Sequence, residues 1–175
     1  MMPAPTHLCD WLVPGAAGVD GSDLTGRLRC PCGSEEVELF YPGETRFRAG
    51  DRYPCALEIE GHRFFLVRAR CPACGVERLL FDRDLHGWNG IVRRDAEGAA
   101  LPRPELVVWR CTRCGATKQV VTIEIRTAGR DSFVEAVEGR LPEERWPDAF
   151  GRIRISLRCT ECDKITEDWV SCETS

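Results

Sequence analysis

The chain has 175 residues, of which 43% are hydrophobic and 30% charged, with a net charge of -4. That length suits one ordinary domain or two small ones. The acidic balance lacks the basic surplus with which a free-standing nucleic-acid binder neutralises phosphates. Neither half hides such a surplus: residues 1–90 carry ten Arg or Lys against thirteen Asp or Glu, and residues 91–175 fourteen against fifteen. No apolar run is long enough to span a bilayer. Met1 to Leu12 has no basic stretch followed by an apolar core, so a cytoplasmic protein without a secretory signal is expected.

In chain order, an N-terminal segment (1–26) leads to Leu28-Arg29 and the tight pair Cys30-Pro31-Cys32-Gly33. A strand is expected from Glu36 to Tyr41. Ala56 to Glu60 and Arg63 to Val67 flank Gly61-His62, which suits a hairpin turn. Phe65 to Arg70 enters Cys71-Pro72-Ala73-Cys74-Gly75, and Glu77 to Phe81 leaves it. A linker over 91–105 is expected where Leu101-Pro102-Arg103-Pro104 disfavours regular structure. Val107 to Arg110 enters Cys111-Thr112-Arg113-Cys114-Gly115, and Gln119 to Arg126 leaves it. Thr127 to Phe150 is irregular, with a short helix expected where Ser132 and Glu135 form a capping box and Phe133 and Val137 share a face. Another single turn is expected to start at Pro142. Ile153 to Arg158 alternates apolar and basic side chains, as a half-buried strand does, before Cys159-Thr160-Glu161-Cys162-Asp163.

The eleven cysteines decide the chemistry. An odd count without an export signal argues against a disulfide framework. Eight of them fall into four close pairs, and a Cys-x-x-Cys turn can aim two thiolates at one point. One such pair also serves redox enzymes, but four pairs supply the eight ligands of two tetrahedral sites. The expected metal ligands are Cys30, Cys32, Cys71 and Cys74 for one zinc ion, and Cys111, Cys114, Cys159 and Cys162 for the other. Sequential pairing is expected because an interleaved one would thread one unit through the other. Cys30-Pro31-Cys32 is one residue tighter than the other three pairs.

These eight cysteines, with Pro72 and the glycines at 33, 75 and 115, resemble the zinc-ribbon superfamily over roughly residues 27–84 and 106–170. The resemblance implies a mainly β protein: two tandem zinc ribbons of antiparallel hairpins with little helix, over 27–90 and 106–175. Trp11 to Gly15, His86 to Gly90, Arg145 to Phe150 and Trp169 to Ser171 are also similar to a bacterial double zinc-ribbon family. That resemblance implies a fold and a metal but no activity.

Zinc catalysis is not expected, because His7, His62 and His86 are scattered and sulfur-only sites are closed. Asp82, Asp84 and His86 form the alternative candidate, a divalent-ion or acid–base site; such a stretch is more often a solvated turn with Trp88 packed on the core. Cys9, Cys55 and Cys172 are read as small buried or half-buried thiols, with a redox role as the sharper alternative. Arg152, Arg154 and Arg158 share a strand face, and Arg68 and Arg70 flank a knuckle. Acids at Glu36, Glu38, Glu58, Glu60 and Glu124 offer them cross-strand partners, which favours a salt-bridged surface over a nucleic-acid track. The expected role is therefore a structural zinc protein acting as an interaction module or adaptor, with a protein partner meeting exposed aromatics such as Trp88, Trp146 and Trp169. A nucleic-acid-associated accessory factor in transcription or translation is the alternative, and an enzyme comes last.

Overall fold

In the computed structural model, residues 2–15, 23–92 and 103–174 are described. The first half contains β1 (Leu12–Pro14), β2 (Asp23–Leu28), β3 (Glu36–Tyr41), β4 (Thr45–Arg48), β5 (Asp51–Pro54), β6 (Leu57–Ile59), β7 (His62–Phe64), β8 (Leu66–Arg70), β9 (Glu77–Asp82) and α1 (Gly87–Ile91). The second half contains β10 (Val107–Val108), β11 (Lys118–Arg126), α2 (Arg130–Val137), a 3-10 helix (Glu143–Asp148), β12 (Arg152–Cys159) and β13 (Ile165–Glu173). Among the described residues the protein is mainly β, with antiparallel pairing throughout and three short helices. Among the described residues no helix is long and apolar enough to cross a membrane.

Period-two patterning builds the sheet. Val37 and Leu39 on β3, Val121, Ile123 and Ile125 on β11, and Ile153, Ile155 and Leu157 on β12 are buried. Their neighbours turn outward and carry charge: Glu38 meets Arg70, Glu36 meets Lys118, and Glu124 meets Arg154. Each fully buried Leu, Ile or Val contributes roughly 1.5–3 kcal/mol, whereas each exposed ion pair contributes about 0–1 kcal/mol. Apolar alternation, not charge, therefore fixes which face points inward.

The sheet runs β13-β12-β11-β3-β8-β9 through its ladders. Its centre is the β3–β11 contact, where Val37 stands opposite Gln119, flanked by Glu38 with Lys118 and Glu36 with Val120. On either side of that point the chain repeats itself. β2 enters the first cysteine pair and ladders onto β11, with Arg27 opposite Thr122. β10 enters the third pair and ladders onto β3, with Val108 opposite Phe40. The strand leading into each half's first knuckle is thus donated to the other half, as a local two-fold relation between the halves requires. The main core accordingly draws on both, from Leu24, Leu28 and Val67 to Ile123, Ile155 and Trp169.

Several expectations shift. The 1–26 segment provides β1, part of β2 and the buried Met2, Leu8 and Trp11. The hairpin turn falls on Glu60-Gly61, both at positive φ (51° and 79°), so His62 belongs to β7 rather than to the turn. A break at Phe65 separates β7, which pairs only with β6, from β8, which pairs with β3 and β9. The helix around Ser132 exists as α2, but it begins at Arg130 after Gly129 and has no side-chain cap, so the capping box does not form. Phe133 and Val137 do share its inward face and make a satellite core with Ala149, against which Trp88, Ile91 and Trp146 pack. Pro142 precedes the 3-10 helix at its cap position. Residues 93–102 of the expected linker lie outside the described residues; beyond them, Arg103 reaches back to Asp82 at 2.8 Å.

Candidate metal centres

Each close cysteine pair sits on a turn of common design. In the second, third and fourth turns the first cysteine's N–H donates to the carbonyl of the residue five positions on: Cys71 to Val76, Cys111 to Ala116 and Cys159 to Lys164. The residue four positions on donates back to the first cysteine's carbonyl, from Gly75, Gly115 and Asp163. In the tighter first turn both contacts come one residue earlier, through Ser34 and Gly33, and the loop still closes. The closing residue takes positive φ in all four, at 97°, 76°, 79° and 54°. Glycine adopts that conformation without cost, and an L side chain does not. Asp163→Gly is therefore expected to raise stability by about 0.5 kcal/mol, read as a higher denaturant midpoint; its exposed contact with Arg158 at 3.6 Å is a small loss against this.

The turns converge two by two. Cys30, Cys32, Cys71 and Cys74 form one cluster and Cys111, Cys114, Cys159 and Cys162 the other, with the sulfurs of each lying within 4.8 Å of one another. The closest approaches join first and second cysteines of opposite turns: Cys30–Cys74 at 3.5 Å, Cys32–Cys71 at 3.6 Å, Cys111–Cys162 at 3.6 Å and Cys114–Cys159 at 3.5 Å. A tetrahedron of sulfurs about 2.3 Å from a central zinc has edges of about 3.8 Å, whereas a disulfide needs about 2.05 Å. All eight thiols are free, and the spacing fits a four-sulfur metal site. The pairing is sequential, first turn with second and third with fourth.

The turns also bias one sulfur in each cluster toward the thiolate. Burial pushes the Cys71 thiol up, but the backbone N–H groups of Cys74 and Ala73 and the neighbouring thiols outweigh it and take the group down to about 6. Cys111 behaves alike and falls to about 7, with donors at Cys114 and Arg113. Their cluster partners move the other way: burial and the neighbouring thiols push Cys30 up to about 12, and at Cys114 the Ala116 N–H is outweighed by the same two causes, so that this thiol reaches about 12 as well. A thiolate is the ligand form, so the N–H groups favour it at Cys71 and Cys111 in particular. Both clusters are rigidly framed, because β3 leaves the first turn and pairs with β8 entering the second, as β11 and β12 do for the other site.

In comparison with protein-family models, curated proteins and solved structures, nothing matches this chain. The reading of the sites therefore rests on their geometry.

The other candidate, Asp82 with Asp84 and His86, does not assemble into an acid–base set. Asp82 is buried, accepts from the Asp84 N–H at 2.9 Å and pairs with Arg103; desolvation raises its pKa even so. Asp84 turns to His62 at 2.9 Å. His86 accepts the Asp82 backbone N–H on Nδ1 at 3.1 Å and stacks on His7 at 3.7 Å. Burial takes His7 down to about 4 and His86 down to about 3; Arg78 beside His7 and Arg103 beside His86 add to this, and Asp148 opposes it at both. Both rings are thus neutral at pH 7 and more basic when unfolded. Their contribution to stability is complete above pH 6.5 and is lost as pH falls toward 4. Replacing His7 by Phe, which keeps an apolar ring there, is expected to flatten the dependence of Tm on pH between 6.5 and 4 relative to the wild type. Both proteins should be measured with zinc in excess, and parallel curves would contradict the assignment.

The aromatics and spare thiols also depart from expectation. Trp169 is 1% exposed and packs edge-on against Trp109 at 5.2 Å and Tyr41 at 6.4 Å. Trp88 and Trp146 are half-buried in the satellite core. The aromatic ring that does face solvent is Phe47, 72% exposed. Cys55 and Cys172 are half-buried, but Cys9 is exposed. The five arginines singled out in the sequence are ion-paired: Arg68 with Glu77, Arg70 with Glu38, Arg152 with Glu173, Arg154 with Glu124 and Arg158 with Asp163.

Proposed function

We propose that this chain is a double zinc-ribbon scaffold that holds two structural zinc ions and works as a protein-interaction module. The observation that carries the reading is the make-up of the two clusters, four cysteine sulfurs in each. A four-thiolate sphere is closed, whereas catalytic zinc keeps a position for water and commonly uses imidazole or carboxylate ligands. Tetrahedral sulfur sites take zinc or iron, and elemental analysis with an absorption spectrum separates the two, since zinc thiolate is colourless.

The interaction role is supported by one patch beside the second cluster. Phe47 on the β4–β5 hairpin and Tyr41, Val108 and Trp109 line an open groove of about 650 Å³, edged by Arg52 and Lys164. An exposed aromatic at such an edge is the usual anchor of a protein contact. The ion pairing of Arg68, Arg70, Arg152, Arg154 and Arg158 and the net charge of -4 leave a nucleic-acid track along that sheet face with less support. The test is affinity capture from the native host with wild type and Phe47→Glu, identifying bound protein and nucleic acid in both. A protein partner lost with Phe47→Glu is the expected result. Capture of nucleic acid alone, weakening steeply as salt rises, overturns it.

A further inference from the structure

On the other face of the β4–β5 hairpin lies a smaller cavity, of about 140 Å³. Strand alternation builds it. Thr45 and Phe47 line the groove beside the second cluster, while Arg46 and Arg48 line this one. Arg63, from β7, and Arg83, just after β9, come in from elsewhere, and Phe65, Trp169 and Val170 supply its apolar wall. These arginines lie outside the main sheet and differ from those on it. None of Arg46, Arg48, Arg63 and Arg83 forms an ion pair among the described residues, in contrast with the five paired strand arginines. One carboxylate lines the cavity, that of Asp168, which lies 3.8 Å from Arg154.

Two further features mark the place as built. The β12–β13 ladder slips register between Ile155 and Leu157, and opposite the slip Asp168 takes positive φ at 47°, a conformation costly for a non-glycine residue. Its N–H is held by Ser156 Oγ at 3.0 Å, and its carbonyl accepts Arg48 at 3.0 Å, which fixes a guanidinium that also stacks on Tyr53 at 4.2 Å. Arg48 is thereby oriented before any ligand arrives. Trp169, 1% exposed, has an indole N–H without a partner among the described residues.

Four exposed arginines around one cavity, outnumbering its single carboxylate and free of ion pairs among the described residues, make a receptor for anions. A planar carboxylate is saturated by one or two forks, whereas a tetrahedral phosphoryl group offers oxygens to several at once. The volume lies below the roughly 300–1,000 Å³ of sites for drug-sized ligands, which points to a single phosphate-sized group. We propose that this cavity binds the phosphoryl group of a small ligand, held by Arg46, Arg48, Arg63 and Arg83.

The experiment is calorimetric titration of the zinc-loaded full-length protein with inorganic phosphate and with pyrophosphate, in phosphate-free buffer at low and at moderate salt. Wild type, Arg63→Ala, Arg83→Ala and a control, Arg27→Ala, are compared. Arg27 belongs to an exposed pair with Glu35 elsewhere on the surface. Saturable binding is expected, unchanged in Arg27→Ala and weakened about tenfold or more in each of the other two. Zinc content should stay equal in all four, so a failure of the metal sites is read separately from a failure of the anion site. Absence of phosphate and pyrophosphate binding, or equal affinity in all four proteins, overturns the proposal. A single-stranded oligonucleotide forms the last arm. If it binds through Arg63 and Arg83 while both small anions do not, the small-ligand assignment falls and a nucleic-acid backbone takes its place.

Discussion

Purified protein is expected to carry close to two zinc ions per chain and to unfold when a strong chelator removes them. The magnitude follows from comparing two quantities. A structural zinc site contributes about 10–16 kcal/mol of apparent free energy in zinc-finger peptides, whereas a whole domain is stable by about 5–15 kcal/mol. Losing either ion removes an energy as large as the whole margin, and the shared sheet spreads the damage from one site to the other. Single substitutions sort the cysteines in the same way. Cys74→Ser and Cys114→Ser each leave three sulfurs around a cation and are expected to lower zinc content and to collapse the thermal transition. Cys9→Ser, at an exposed thiol that donates to Asp10 at 3.5 Å, is expected to shift Tm by no more than about a degree or two. Equal shifts for all three, or a folded chain fully free of metal, would remove the basis for the metal sites.

The metal-binding part of the molecule was legible because it is local. Two cysteines separated by one or two residues, in three of four cases with a glycine behind them, specify a turn without reference to the rest of the fold, and four such turns permit few pairings. Strands with clean alternation, such as those over 119–126 and 153–158, were legible for the same reason. β13 was not, because the slip opposite Asp168 brings Trp169 and Val170, adjacent in sequence, both into the interior. A period-two reading fails at that point. Trp169 then looked like a surface aromatic beside polar residues, although it is one of the most buried side chains. The β4–β5 hairpin was missed because Arg46, Phe47 and Arg48 are all exposed and carry no inward stripe. The arginines of the smaller cavity are spread from position 46 to 83, and only the tertiary fold, with β5 packed against β13, collects them. The alternation Arg46-x-Arg48 before Ala49-Gly50 was the one signal available.

The exchange of strands between the halves leads to the second large effect. Cutting the chain between the described segments gives fragments 1–92 and 103–175. Each holds a complete set of four cysteines and is expected to take up about one zinc ion. Neither should show a cooperative thermal transition alone. Without the second fragment, β2 loses its ladder to β11 from Arg27 to Asp23, and β3 loses both β10 and the start of β11. Without the first, β11 is left with β12 alone as a neighbour, and Val121, Ile123 and Ile125 lose the residues of β2 and β3 that complete their core. Open strand edges beside exposed apolar faces are aggregation-prone, so each fragment should be soluble only at low concentration. Mixed in equal amounts with zinc present, the fragments can rebuild the β2–β11, β3–β11 and β3–β10 ladders and close a common core. A one-to-one complex of micromolar or tighter affinity is therefore expected, with recovery of a single transition seen by circular dichroism and of the complex by analytical ultracentrifugation. Fragments that each unfold cooperatively by themselves and stay apart when mixed would show that the two metal-centred units fold independently, and that the ladders between them contribute little to stability.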